Sequence, residues 1–162
     1  MSVLYIMVGL PGSGKSYIAD MLAKETNGTV VSRDEIRFKY LKDGEDYFKH
    51  EKKVFEEYVN TIQSHLDKNE TVIADATHID AFSRRKLLES ISLTNEDYII
   101  PVVIDTPFEV CKKRNAQRTG RKRVPDLALN RLRRKFVTPE ADSNILWRQY
   151  HDILYIEEKE NK

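Results

Sequence analysis

The stretch GLPGSGKS, Gly9–Ser16, contains the pattern G-x-x-x-x-G-K-[ST] directly after the apolar run SVLYIMV. Glycines let the backbone wrap a phosphate with its N–H groups pointing inward, and a helix that begins near Lys15 would add its positive dipole end. Lys15 can then reach the β- and γ-phosphates of a nucleotide, and the Ser16 hydroxyl is placed to ligate Mg²⁺. The loop therefore predicts a site for ATP and Mg²⁺. Its predicted contacts are Gly9, Pro11, Gly12, Ser13, Gly14, Lys15, Ser16 and Tyr17.

Two acidic residues follow later apolar segments and could also act at the phosphates. Asp34, in SRDEIR, is a candidate general base that orients a hydroxyl and takes its proton, an effect worth roughly 10²- to 10⁴-fold in rate. Arg37, one helical turn later, could hold a phosphate of the acceptor or the group in transfer. The alternative is a helix start that Asp34 caps, with Arg37 in a surface ion pair. Asp75, which ends ETVIAD, has the position of a metal-holding acidic residue and is assigned to the metal with Ser16, with a helix cap or turn residue as the alternative.

Positive charge is concentrated in one segment, although the net charge of the chain is only +1. Residues 111–136 contain eleven basic side chains and one acidic side chain. In small P-loop kinases the corresponding loop is a lid over ATP, where an arginine can stabilise charge on the transferred group. The alternative is a solvated basic face. The lid candidates are Arg114, Arg118, Arg121, Lys122 and Arg123.

Alternating strand and helix patterns predict the frame that positions these residues. Apolar runs predict strands at 2–8, 28–32, 70–75, 98–105 and 152–158. Helical spacing, with proline or Asp80 at several starts, predicts helices at 15–28, 33–41, 47–66, 80–91, 107–118 and 125–136. This order predicts a three-layer α/β fold with a mainly parallel sheet, whose ligands bind beyond the carboxyl ends of the strands. Asp34, Asp75 and Asp105 would point to that rim, and Pro101 predicts an interruption or an edge-like start of its strand.

Composition restricts the class of protein. The chain of 162 residues fits one domain, and the hydrophobic fraction of 40% is ordinary for a globular protein. The single cysteine, Cys111, excludes an internal disulfide framework and is expected to be a buried helical side chain. No run approaches the roughly 18 apolar residues of a membrane helix. We therefore expect a cytoplasmic protein without a membrane partner.

The order of GLPGSGKS, SRDEIR, DATH…SRRK and KRNAQRTGRKRVP over residues 1–136 resembles the polynucleotide 5′-hydroxyl kinase family. It is most similar to the kinase domain of phage and bacterial RNA-repair kinases. The resemblance implies a P-loop kinase fold, a single domain over residues 1–162, and a lid at about 114–125. A phosphatase domain, as in the phage enzyme, is not expected in this chain.

The resemblance also implies roles for individual residues. Lys15, Asp34 and Arg118 would be catalytic, Asp34 as the base that activates the 5′-hydroxyl. Arg37 would contact the 3′ phosphate of the substrate. The lid arginine that embraces the donor phosphates is best matched by Arg118, with Arg121 or Arg123 as alternatives. Thr77 and Arg84 fall in the third motif and are assigned to the substrate.

The acceptor is less firmly implied than the donor. The expected substrate is a nucleic acid 5′ end, and no obligate protein partner is expected. The first alternative is a kinase for a small-molecule alcohol, such as a nucleoside or nucleotide sugar, or for a seryl group on tRNA. The second alternative is an ATP-binding switch that hydrolyses slowly. For His78, which lies in the third motif, a structural role is favoured over a role at the phosphates.

Overall fold

A five-stranded parallel sheet lies at the centre of the computed structural model, which describes residues 2–142 and 150–157. The strands are β1 (Val3–Val8), β2 (Thr29–Ser32), β3 (Val72–Asp75), β4 (Tyr98–Asp105) and β5 (Leu154–Glu157). Their order across the sheet is β2-β3-β1-β4-β5, and every neighbouring pair is parallel. All carboxyl ends therefore meet at one edge, which is the edge that carries the glycine-rich loop.

The described residues also form six α-helices, which connect the strands. They are α1 (Lys15–Thr26), α2 (Arg33–Tyr40), α3 (Glu51–Asp67), α4 (Ala81–Glu89), α5 (Phe108–Gln117) and α6 (Asp126–Lys135). Asp80 caps α4 in a reciprocal capping box with Ser83, as its position predicted. Pro107 and Pro125 stand at the N-caps of α5 and α6 rather than at their first helical positions. None of the helices among the described residues is both long and apolar enough to cross a membrane.

Helices cover both faces of the sheet. Alternate residues of β1 point to opposite sides, so that Leu4 and Ile6 pack in one core cluster and Met7 in another. The first cluster includes the buried faces of α3 and α4, and the second includes Ala19 of α1. The three-layer α/β fold predicted from the sequence is therefore confirmed.

Two local expectations were wrong. Pro101 neither interrupts its strand nor starts it, because β4 is continuous and lies between β1 and β5. Pro101 pairs with Ile6 of β1, whereas pairing with β5 begins only at Val102. No residue of β5 is therefore paired with Pro101, which lacks a backbone N–H to donate. The long helix begins at Glu51 rather than at Tyr47, since residues 47–50 form a turn before it.

The extent of the domain stays a prediction. Residues 143–149 and 158–162 of the expected 1–162 domain lie outside the described residues, as does the last residue of the predicted fifth strand. Within the expected lid, residues 114–117 continue α5, and a short 3-10 helix, Gly120–Lys122, follows.

Candidate active site

Backbone conformation gives the glycine-rich loop its shape. Gly12 has a φ of +82° and Gly14 a φ of +94°, in the left-handed region that disfavours other residues. A Cβ on Gly12 would lie 2.5 Å from the carbonyl oxygen of Cys111, so that position excludes any side chain. Gly14 is the N-cap of α1 and offers no side-chain cap. The first N–H groups of α1 therefore have no capping side chain, as an anion site requires.

Neighbouring segments hold the loop in place from three sides. The N–H of Gly9 donates to the carbonyl oxygen of Thr77 at 3.1 Å. The Thr106 hydroxyl donates to the carbonyl oxygen of Ser13 at 2.6 Å. Arg114 donates from a terminal guanidinium nitrogen to the carbonyl oxygen of Gly12 at 3.2 Å. The phosphate cradle is thus preorganised by strand ends and by α5.

Ser16 and Asp75 form a pair beside the loop. The Ser16 hydroxyl donates to Oδ2 of Asp75 at 2.8 Å, and Oδ1 of Asp75 is buried without a partner among the described residues. Burial raises the pKa of Asp75, while Lys15 and the Ser16 hydrogen bond act in the opposite direction. Serine and carboxylate oxygens are hard ligands that suit Mg²⁺, and the unpartnered Oδ1 has capacity for the cation or its water shell. The residues present therefore fit a magnesium ion.

A polar cluster at the start of α2 joins Asp34 to Arg37. Arg37 donates to Oδ1 of Asp34 and, at 3.2 Å, to the hydroxyl of Tyr47. Its Nε and its second terminal nitrogen donate to the two carboxylate oxygens of Glu51, at 2.7 and 3.2 Å. The Tyr47 hydroxyl lies 3.4 Å from Oδ1 of Asp34. Both of these bonds to Asp34 end on Oδ1, so they orient the carboxylate and leave Oδ2 without a hydrogen bond among the described residues.

Electrostatics within this cluster shift the pKa values of Arg37 and Tyr47. Burial of Arg37, the largest influence, would lower the pKa of its guanidinium, but the Glu51 hydrogen bond and the nearby Asp34 together hold that pKa above its ordinary value. Burial, aided by Asp34, raises the pKa of Tyr47 to about 12. Tyr47 therefore stays neutral and remains a hydrogen-bond donor to Asp34 at physiological pH.

Three clefts open on this edge of the sheet. The apolar cleft has a volume of about 450 Å³ and is lined by Gly12, Gly14, Tyr17, Ile18, Ile104, Arg114, Arg118, Ile156 and Glu157. The carboxylate cleft, of about 310 Å³, is lined by Ser16, Asp20, Val30, Ser32, Asp34, Glu35, Phe38, Asp75, Arg118 and Lys122. The aromatic cleft, of about 180 Å³, is lined by Pro11, Lys15, Arg33, Asp34, Arg37, Tyr47, Phe48, Glu51, Ala76, Thr77, Val124 and Leu132. The carboxylate cleft shares Arg118 with the apolar cleft and Asp34 with the aromatic cleft.

The lid arginines have different environments. Arg118 lines both the apolar and the carboxylate clefts, beside the loop and the Ser16–Asp75 pair. Arg121 instead donates to the carbonyl oxygen of Leu41 at 2.8 Å, and its guanidinium lies 5.8 Å from the centre of the Phe38 ring. Arg123 is exposed and pairs with Asp126 at 3.5 Å. Arg118 thus lines the clefts beside the loop, whereas Arg121 ties the lid to Leu41 at the end of α2, and the choice of the catalytic lid arginine stays a prediction.

Arg84 does not line the phosphate edge either. Its guanidinium donates to both carboxylate oxygens of Asp142, at 2.8 and 2.6 Å, and to the carbonyl oxygen of His78 at 2.8 Å. Neither side chain of this pair has exposed surface. Thr77, by contrast, does line the aromatic cleft. The expectation that Arg84 contacts the substrate therefore lacks support, and its surroundings are those of an internal ion pair.

His78 is buried behind the loop, in agreement with the favoured structural role. Nδ1 donates to the carbonyl oxygen of Met7, so Nε2 is the acceptor for the Tyr58 hydroxyl, 3.2 Å away. Burial lowers the pKa of His78 to about 3. Cys111 is buried as expected.

Several residues of the aromatic cleft were not anticipated from the sequence. Arg33 and Glu51 form an ion pair at 3.0 Å, and the aromatic residues Tyr47 and Phe48 stand beside Arg37. The sequence signal for Glu51 was weak, because it is one acidic residue in a segment rich in charges. Tyr47 and Phe48 were assigned to a helix, whose apolar face would have buried them.

The chain is similar in sequence to known kinases. A family model described as an AAA domain (AAA_33) matches residues 4–139. The chain is 29% identical over 146 residues to a protein of Acanthamoeba polyphaga mimivirus that is named a bifunctional polynucleotide phosphatase/kinase. That match covers 87% of this chain but only 31% of the mimivirus protein. The resemblance to polynucleotide kinases is therefore confirmed.

Solved structures agree with this result. A chain of the Pnkp1/Rnl/Hen1 RNA repair complex is 28% identical and has a TM-score of 0.69, with 83% of this chain and 43% of that chain covered. A fungal RNA kinase is 13% identical and has a TM-score of 0.70. The match covers 99% of this chain and 76% of the fungal one. A sugar kinase from Janibacter is 19% identical and has a TM-score of 0.63. The match covers 96% of this chain and 84% of the sugar kinase. The last two show the shared fold alone.

Proposed function

Because the chain belongs to the AAA domain (AAA_33) family, we propose that it is an ATP-dependent kinase that transfers the γ-phosphate to the 5′-hydroxyl of a polynucleotide. The observation that carries this proposal is the aromatic cleft, where Lys15 of the phosphate loop and the oriented carboxylate of Asp34 face the same space. An ATP-binding switch that hydrolyses ATP slowly or not at all has no need of such a base. The similarity to the mimivirus protein and to the RNA repair complex favours a nucleic acid acceptor.

The donor would lie across the loop. The apolar cleft, walled by Ile18, Ile104 and Ile156, suits an adenine base, and the loop N–H groups and the start of α1 would hold the phosphates. Lys15 would contact the β- and γ-phosphates, and Arg118 would stabilise the charge that develops on the transferred group. Ser16 and Asp75 would hold Mg²⁺, which neutralises phosphate charge during transfer.

The acceptor would enter by the aromatic cleft. Oδ2 of Asp34 would accept the proton of the 5′-hydroxyl while the hydroxyl oxygen bonds to the γ-phosphorus. At the same time the bond between that phosphorus and the oxygen that bridges the β- and γ-phosphates would break. Arg37 and the Tyr47 hydroxyl hold Oδ1 and so orient the carboxylate. Arg37 also lines the cleft, where it would contact the 3′ phosphate of the acceptor nucleotide. The exposed basic side chains of the lid and α6 would add salt-dependent attraction for the rest of the strand.

Label transfer from γ-labelled ATP with Mg²⁺ to a short oligonucleotide with a 5′-hydroxyl tests this proposal. We expect transfer by the wild type, none to the same oligonucleotide with a 5′-phosphate, and a rate lower by about 10²- to 10⁴-fold in Asp34→Asn. Asp105→Asn is the matched control, since Asp105 is an exposed aspartate at the end of β4 that lines none of the three clefts.

An unlabelled oligonucleotide, with ATP binding intact, would refute the polynucleotide assignment. Nucleosides, nucleotide sugars and seryl-tRNA would then be compared as acceptors with the same variants. Transfer to one of them that still depends on Asp34 would leave the kinase chemistry in place and change only the acceptor.

A further inference from the structure

We propose that Phe48 is the platform on which the base of the acceptor's 5′-terminal nucleotide stacks. This inference rests on the proposed function, because it assigns a residue to the acceptor of that reaction. It makes Phe48 a residue that positions and selects the acceptor, and it predicts that the cleft distinguishes nucleotides from alcohols that lack a base.

Phe48 is an apolar side chain held at the mouth of the aromatic cleft. It lines the cleft together with Asp34, and 39% of its surface is exposed. Its ring centre lies 4.9 Å from that of Tyr47 in an edge-on arrangement, with an interplanar angle of 77°. The Arg37 guanidinium lies 5.8 Å from the Phe48 ring centre. The ring is therefore fixed on one side and within one nucleotide's length of the groups that would bind phosphate and hydroxyl.

Other aromatic residues near the cleft are less suited to this contact. Tyr47 is buried, its hydroxyl is bonded to Arg37 and Asp34, and the Arg37 guanidinium covers its ring at 4.7 Å. Phe38 packs edge-on against Tyr47 and lines the carboxylate cleft instead. Among the aromatic residues that line the aromatic cleft, Phe48 is thus the one with substantial exposed surface.

A nucleobase fits this position better than a sugar ring does. Val124 and Leu132 supply further apolar lining to the same cleft, which gives a flat ring apolar contacts besides Phe48. A phenyl ring has no hydrogen-bonding group with which to read base identity, but it stacks on the face of any base. We therefore expect dependence on the presence of a base, with little preference among bases.

The test compares two oligonucleotide acceptors with a 5′-hydroxyl, one normal and one with an abasic 5′-terminal residue. Stacking on an aromatic side chain changes affinity by about 5- to 150-fold per base, so the wild type should show a KM for the abasic acceptor that is higher by about this factor. Phe48→Ala should raise the KM of the normal acceptor toward the abasic value, with little further change for the abasic one. Phe48→Tyr should restore the difference. Phe82→Ala is the matched control, because Phe82 is 70% exposed on α4 and lines none of the clefts.

Equal KM values for the two acceptors with the wild type would overturn this inference alone and leave the proposed kinase intact. So would a Phe48→Ala effect of the same size on both acceptors, which would indicate a structural role. Absence of transfer to either acceptor, with ATP bound, would remove the proposed function and this inference with it.

Discussion

Replacement of Arg84 by methionine tests the reassignment of this residue from the substrate to the protein interior. Methionine keeps much of the volume and the flexible apolar stem, but it removes three hydrogen bonds, two to Asp142 and one to the His78 carbonyl. Asp142 would keep only the Tyr150 hydroxyl, which donates to its Oδ2 at 2.7 Å, as a partner among those described. The substitution therefore leaves a buried carboxylate without its counter-charge.

The expected cost is large for a single substitution. Removal of one partner from a buried ion pair lowers the free energy of unfolding by about 3–5 kcal/mol, since the remaining charge stays desolvated. For a chain of this size, a loss of about that magnitude lowers Tm by roughly 6–20 °C. The double variant Arg84→Met/Asp142→Asn removes both charges and should recover part of the loss, because asparagine still accepts from Tyr150.

Urea unfolding followed by circular dichroism, together with a thermal scan, measures these changes. A loss below about 1 kcal/mol in Arg84→Met, with an unchanged m value, would refute the reasoning from burial. A transfer rate per folded molecule that fell by orders of magnitude at unchanged stability would return Arg84 to the substrate. A double variant no more stable than the single one would show that the buried charge of Asp142 is not the source of the loss.

Two further predictions concern His78 and the lid. Because the pKa of buried His78 is lowered to about 3, the unfolded chain binds a proton that the folded chain does not between about pH 6.5 and pH 3, and stability falls as pH falls through that window. Between pH 7.5 and pH 5, the free energy of unfolding in urea should drop by about 2 kcal/mol more for the wild type than for His78→Asn. Equal drops in the two proteins would contradict this prediction. Asparagine is chosen because it tolerates the φ of +39° at this position. Arg118→Ala should lower kcat of label transfer by about 10²- to 10³-fold, whereas Arg121→Ala, with the same charge change, should lower it less than about tenfold. The reverse order would assign the donor phosphates to Arg121.

Patterns that depend on one local rule were predicted from the sequence with most success. The glycine-rich loop follows a strand and opens a helix, as its pattern requires, and the period of the apolar residues identified the strands and helices. Asp80 caps α4 because an aspartate before a helical segment satisfies its first N–H groups. These features need only neighbours in sequence, so sequence alone was sufficient.

Features that depend on distant partners were predicted less well. Arg84 was assigned to the substrate because the resemblance places it in the third motif, but its side chain pairs with Asp142, 58 residues later. Arg121 donates to the carbonyl oxygen of Leu41, 80 residues earlier and just after α2. An arginine in a basic loop carries no sequence signal for such a partner, since any nearby carbonyl or carboxylate will serve. Phe48 was not anticipated for a local reason, because it was assigned to a helix that begins at Tyr47, whereas α3 begins at Glu51 and leaves Phe48 in a turn.

The way the clefts share residues gives a path for the proposed transfer. Arg118 belongs to the apolar and carboxylate clefts, while Asp34 belongs to the carboxylate and aromatic clefts. A donor base in the apolar cleft and an acceptor in the aromatic cleft would therefore both border the carboxylate cleft, which contains the Ser16–Asp75 pair. In-line displacement needs the attacking and leaving oxygens on opposite sides of the phosphorus. We expect the transferred phosphorus to lie in the carboxylate cleft between them, with Arg118 beside the charge that develops on it.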